Sequence, residues 1–199
     1  MKYRVNRKTG DRISEIGIGS SYMYEAGMEE AVKALRKAVE GGVNYFDLAA
    51  GHGDSFPIYG EALHAYRDRI FYQIHFGADY TKGDYGWSLD LDTIRHSVEK
   101  MLKELRTDYI DYGFIHCQDE ISDWETYKEN GIYDYILELK EKGVEYDSLL
   151  SWQAVFCGTF FADYYKKRRT VSPPLFTSGN MPNRRWEEHI FPAGRGSEQ

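Results

Sequence analysis

Four side chains able to move protons stand where predicted strands run out. Asp47 closes the run Val43 to Asp47, and His52 follows in the loop Ala49-Ala50-Gly51-His52-Gly53. His75 lies near the end of the run Ile70 to Phe76, and His116 ends the run Tyr109 to His116. Imidazole titrates close to neutrality, so a carboxylate among imidazoles can hold, pass or release a proton at ordinary pH. The same three imidazoles and one carboxylate also suit a zinc or ferrous ion, although their spacing matches no metal motif. A site that has lost its chemistry is the third reading.

The elements that must position these groups alternate along the chain. A short hairpin, Tyr3 to Asn6 and Arg12 to Ser14, turns at Lys8-Thr9-Gly10-Asp11, and a glycine-containing strand follows over Ile16 to Ser21. Met28, Ala31, Val32, Leu35 and Val39 recur at helical spacing before Gly41-Gly42, which predicts a helix over 28–40. Strands are then expected at 43–47, 70–76 and 109–116. Helices are expected at 59–66, from a cap at Asp90 or Asp92 through Leu105, and at 132–142.

Strands separated by helices pair in parallel, which narrows the fold to an α/β doubly wound sheet or a (β/α) barrel. Both place chemistry at the carboxyl ends of strands, where Asp47, His52, His75 and His116 fall. No phosphate loop or Gly-x-Gly-x-x-Gly turn follows the first strand.

The 199 residues allow one sizeable core, and a net charge of -7 argues against nucleic acid or an acidic membrane surface as partner. No apolar run approaches the length needed to cross a bilayer, and a cytoplasmic location is expected. Cys117 and Cys157 read as reduced thiols. His64 and His96 fall on helices as surface or packing residues. Tyr80, Tyr85 and Trp87 either line a substrate pocket or pack as a lid.

Several stretches together resemble the aldo-keto reductase family. They are the hairpin with Lys8-Thr9-Gly10, Ser14-Glu15-Ile16-Gly17-Ile18-Gly19, Gly42-Val43-Asn44-Tyr45-Phe46-Asp47, Gly60-Glu61-Ala62-Leu63 and Arg106-Thr107-Asp108-Tyr109-Ile110-Asp111-Tyr112. The chain looks closest to a divergent microbial branch, without the iron-sulfur cysteines that branch often carries. The resemblance covers about residues 1–144 and implies the first half of a (β/α)8 TIM barrel with an N-terminal β-hairpin. It implies NAD(P)H-dependent reduction of a small carbonyl substrate by an Asp, Tyr, Lys and His tetrad, with NADPH as the expected cofactor. Asp47 and His116 match two members. His52 stands at the Tyr position and His75 at the Lys position, so His52 is expected as the acid, with Asp47 orienting or charging His75 and His116 bonding the substrate oxygen. Gly19, Ser20 and Asp47 match positions beside the nicotinamide.

Past Gly143-Val144 the pattern stops, and residues 145–199 read as a non-matching, atypical C-terminal tail without a fifth strand. Leu149, Trp152, Phe156, Phe160 and Tyr164 share one helical face ahead of Lys166-Lys167-Arg168-Arg169, and the remainder reads as irregular. A truncated half barrel is therefore expected, lacking the family's main phosphate clamp. Its open edges call for a homodimer or for cover by the tail. Such a chain is either an active reductase, a metal-binding half barrel or a non-catalytic fragment.

Overall fold

The chain, a computed structural model, is described over residues 1–118, 121–143 and 145–150, with Ile121 and the last six as backbone alone. The hairpin forms as β1 (Tyr3–Val5) and β2 (Arg12–Ser14), antiparallel. Then come β3 (Ile18–Gly19), α1 (Met28–Glu40), β4 (Tyr45–Asp47), α2 (Ser55–Leu63) and β5 (Phe71–Phe76). A second hairpin, β6 (Ala78–Asp79) and β7 (Gly86–Trp87), precedes α3 (Leu91–Leu105) and β8 (Ile110–Ile115). The series ends with α4 (Ile121–Glu129), α5 (Ile132–Glu141) and β9 (Glu145–Leu150).

Local chemistry sets these limits. Asp90 Oδ1 accepts from the Thr93 amide at 2.8 Å and so caps the first turn of α3. Gly42, at a φ of 93°, takes the left-handed turn that ends α1, a conformation a side chain would oppose. In α2 the glycine serves packing. A Cβ on Gly60 would lie 2.0 Å from the Glu104 carbonyl oxygen, so only glycine lets α2 approach α3 this closely.

Five strands form one parallel sheet in the order β3-β4-β5-β8-β9. Asp47 pairs with Gln73, and His75 pairs with Phe114. With a side-chain period of two, Tyr45, Asp47, Gln73, His75, Tyr112, Phe114 and His116 share one face. Phe46, Tyr72, Ile74, Phe76 and Ile115 lie on the other, buried in the core with residues of α1, α2 and α3. At the amino ends, Asn44 takes the Ser14 amide and gives to the Arg12 carbonyl, both at 2.8 Å. The Tyr112 hydroxyl donates to Asp11 and meets Asn6 and Thr9. The first hairpin thus closes the floor, leaving the carboxyl ends as the mouth.

Two differences from the sequence expectation stand out. A fifth strand does follow Val144: β9 pairs in parallel with β8 from Ile110 opposite Glu145 to Ile115 opposite Leu150. Backbone hydrogen bonding to β8 makes this strand in a stretch where Glu145, Asp147 and Ser148 break the apolar pattern. The sheet therefore continues past the expected boundary at residue 145, and Leu149 is strand rather than the start of a helix. The rest of that expected helix, and the irregular remainder, lie outside the described residues. Second, α4 forms where no helix was expected, with Trp124 and Tyr127 buried one turn apart. No described helix is long and apolar enough to cross a membrane.

Candidate active site at the strand ends

Three of the four marked residues meet. Asp47 at the end of β4 accepts from the Ala49 amide at 3.3 Å, which orients its carboxylate. Its Oδ1 lies 2.9 Å from His75 Nε2. His75 Nδ1 in turn lies 3.0 Å from His116 Nδ1, with the two rings perpendicular. His116 Nε2 is 2.7 Å from the hydroxyl of Tyr85, in the loop between β6 and β7. The result is an unbroken line from carboxylate through two imidazoles to a phenol.

Hydrogen positions follow from the ends of that line. An ionised carboxylate only accepts, so His75 carries its hydrogen on Nε2 and offers a bare Nδ1. His116 then donates from Nδ1 and accepts the Tyr85 O–H at Nε2. The Gln73 amide nitrogen sits 2.9 Å from His75 Nε2. A ring N–H cannot accept from it, so an ionised Asp47 requires the amide to turn, with its oxygen toward His75 and its nitrogen toward the Tyr45 hydroxyl, which then accepts.

Burial fixes the charge state of His116. His75 and His116 are each 7% exposed. Burial, reinforced by His75 and opposed by Asp47, pushes His116 down to about 4, so that ring is neutral near pH 7. Its backbone is held as well. The His116 carbonyl accepts from Gln118 Nε2 at 2.9 Å and from the Trp87 indole at 3.4 Å. Cys117, at a φ of 46°, makes the left-handed turn between His116 and Gln118. An open cleft of about 500 Å³ lies beside Trp87, with Leu89, Leu91 and Asn130 among its walls.

His52 does not join the other three. The loop after β4 pairs by backbone with the tip of the second hairpin: Gly53 gives its amide to the Gly83 carbonyl at 2.7 Å, and Tyr85 gives its amide to Gly51 at 3.1 Å. That pairing brings Tyr85 to His116. It leaves the His52 ring 5.3 Å from the Tyr24 ring, with Nδ1 accepting from the Asp54 amide and Nε2 3.8 Å from Asp84. The metal reading fails for a related reason. The ring nitrogens of His75 and His116 face one another, Asp47 and Tyr85 instead of converging, and no group of three His, Cys, Asp or Glu among the described residues could hold an ion. His116, expected to bond the substrate oxygen, has its Nε2 on the Tyr85 hydroxyl.

The remaining marked residues resolve simply. His64 and His96 are exposed and contact helix carbonyls, of Gly60 and Asp92. Tyr80 is buried edge-on against Phe56 and bonds the Ala50 carbonyl, so it packs and does not line the mouth. Ser20 lies past the end of β3, 1% exposed, with no hydrogen-bond partner for its hydroxyl among the described residues. Gln118, which sequence reasoning missed, is fully buried with Oε1 equally unpartnered. Tyr85 was marked only as an aromatic, since nothing local to its sequence places a phenol on a histidine 31 residues away.

The model of the aldo/keto reductase family matches residues 15–144. This chain belongs to the aldo/keto reductase family. Among relatives of this chain, the uncharacterized oxidoreductase YqkF of Bacillus subtilis is 32% identical over 134 residues, 62% of this chain and 44% of YqkF. The L-glyceraldehyde 3-phosphate reductase of Escherichia coli K12 is 28% identical over 60% of this chain and 38% of its own length. The aldo-keto reductase YhdN of B. subtilis is 27% identical over the whole of this chain and 60% of its own. Thus the chain spans less than two thirds of the length of each of these relatives. Among solved structures, aldo-keto reductase AKR11C1 from Bacillus halodurans, holo form, superposes with a TM-score of 0.65 at 26% identity, covering 84% of this chain and 54% of that one. Its likeness, with the family match, identifies the parallel sheet as the first half of a (β/α)8 barrel.

Proposed function

We propose that this aldo/keto reductase family chain reduces a small aldehyde or ketone with NADPH at the mouth formed by β3, β4, β5 and β8. The observation that carries the reading is the hydrogen-bonded line Asp47, His75, His116, ending at the half-exposed Tyr85. Carbonyl reduction needs one hydride and one proton. The line is built for the proton.

The residues present fit a nicotinamide cofactor. Buried polar groups without partners are costly, and the Ser20 hydroxyl and the Gln118 amide oxygen are two of them. Both suit a ligand carrying an amide. Space above Gly19 is open, with nothing within 4 Å of where a Cβ would stand, so a flat ring could approach the backbone there. Gly19, Ser20, Asp47 and Gln118 would hold the cofactor, which supplies the hydride when bound. The chain's own groups bind the carbonyl oxygen, keep His116 neutral and pass the proton.

Titration with NADPH, read by quenching of tryptophan fluorescence, tests binding, and NADPH consumption with short aldehydes tests turnover. Saturation in the micromolar range with aldehyde-dependent oxidation is expected. No quenching at millimolar NADPH overturns the reading.

A further inference from the structure

We propose that Tyr85, reaching the mouth from the second hairpin, is the proton donor of this site and is recharged through His116 and His75 from a proton held beside Asp47. The inference rests on the reductase reading above. It assigns the phenol's task to a residue outside the loop after β4, where the resemblance places the acid and where this chain has His52.

Among the described residues, Tyr85 joins both requirements of a donor. Its hydroxyl is within 2.7 Å of His116 Nε2, while the residue as a whole is 43% exposed at the mouth. Its position is fixed by backbone contact with Gly51 and by an edge contact of its ring with His116 at 5.6 Å. A general acid must touch both its substrate and its proton supply. His52 has no contact with the line among the described residues.

The line has two states that differ by one proton. In the first, Tyr85 donates to His116 Nε2, His116 Nδ1 donates to His75 Nδ1, and His75 Nε2 donates to the Asp47 carboxylate. Adding a proton reverses the first two bonds. His75 becomes an imidazolium that donates from Nε2 to Asp47 and from Nδ1 to His116; His116 donates from Nε2 to the Tyr85 oxygen. The Tyr85 O–H is then no longer given to His116 and donates to a carbonyl oxygen bound at the mouth.

Reduction converts the second state into the first with atoms and charge in balance. Hydride adds to the carbonyl carbon, the C=O π electrons move to oxygen, and the Tyr85 O–H bond breaks as its proton bonds that oxygen. The phenolate takes the His116 Nε2 proton, His116 Nδ1 takes the His75 Nδ1 proton, and His75 ends neutral on Asp47. One solvent proton restores the line. Alcohol oxidation runs the same steps backward.

The test compares Tyr85→Phe, His52→Gln and His75→Gln in the full chain. Tyr85→Phe is expected to lower kcat for reduction about 100-fold or more with little change in the NADPH dissociation constant, as loss of a general acid does. His75→Gln, which bonds Asp47 but stores no proton, is expected to lower kcat for reduction with little change in the NADPH dissociation constant. Nitrogen-15 NMR of the histidines supplies a readout independent of turnover: at pH 7.5 His116 is expected as the Nδ1–H tautomer, with its Nε2 resonance moving in Tyr85→Phe. Retained kcat in Tyr85→Phe with loss in His52→Gln overturns the proposal. If the native chain binds no NADPH the reductase reading fails, and an Nε2–H tautomer at His116, or no shift in Tyr85→Phe, then overturns the relay as well.

Discussion

His75 and His116 face each other nitrogen to nitrogen, Nδ1 to Nδ1 at 3.0 Å across perpendicular rings. One of the two atoms must carry the hydrogen and the other must not, so neither ring can choose its tautomer alone. The pair is therefore one unit in energy as well as in proton transfer. Replacing each ring by glutamine, singly and together, is expected to give non-additive losses of stability, with a coupling of about 0.5–3 kcal/mol in urea denaturation. Additive losses would show that the contact does not hold the mouth together.

Burial of His116 carries a pH signature. Its folded form binds its proton only near pH 4, whereas an unfolded imidazole binds near 6.5. Between those values the unfolded chain holds more protons, so stability rises with pH and is lost as pH falls from about 6.5 toward 4. A shift of this size corresponds to roughly 3 kcal/mol. Urea midpoints measured across that window are expected to fall on acidification, and the slope is expected to flatten in His116→Gln. Equal slopes in the two proteins would assign the acid sensitivity elsewhere.

At the foot of the same sheet, Arg67 and Asp111 are paired at 2.7 Å, with side chains 10% and 13% exposed. Arg67 also donates to the carbonyls of Ile70 and Tyr109 and to the Thr107 hydroxyl, and lies over the Tyr109 ring. Burial raises the Asp111 carboxyl although Arg67 opposes the shift. Arg67→Met leaves that carboxylate buried without its cation and is expected to cost about 3–5 kcal/mol. Because the carboxyl can then take a proton, the deficit is expected to shrink as pH falls, and Arg67→Met with Asp111→Asn is expected to recover part of it at pH 7. Guanidinium melts at two pH values check both points.

Much of this architecture was legible because it is periodic. The expected strand over 70–76 appears as Phe71–Phe76, and the helix over 28–40 appears as Met28–Glu40. Asp47, His75 and His116 were legible for the same reason, since strand ends in an α/β fold converge on one mouth. What escaped is whatever depends on partners distant in sequence. β9 follows backbone pairing with β8, and Tyr85 depends on a hairpin folding over a strand 31 residues away. The His52 loop looked equivalent to the strand ends, yet two backbone bonds to the hairpin tip reset its direction.

Gly60 tests how tightly the outer layer fixes the mouth. It stands inside α2, where glycine costs about 1 kcal/mol of helix propensity relative to alanine. An isolated helix would gain from Gly60→Ala. Here the added methyl would meet the Glu104 carbonyl oxygen at 2.0 Å, and that oxygen belongs to the backbone of α3, so no side-chain rotation relieves the clash. Moving α2 away from α3 would also disturb Tyr59, whose hydroxyl donates to the Gly19 carbonyl at 3.1 Å, beside the proposed cofactor position. Gly60→Ala is expected to lose at least about 1–3 kcal/mol through overpacking, against the propensity gain, and to weaken NADPH binding in parallel. Calorimetry and cofactor titration on the same preparation check the coupling. A stabilised variant with unchanged binding would mean that α2 can shift without moving β3.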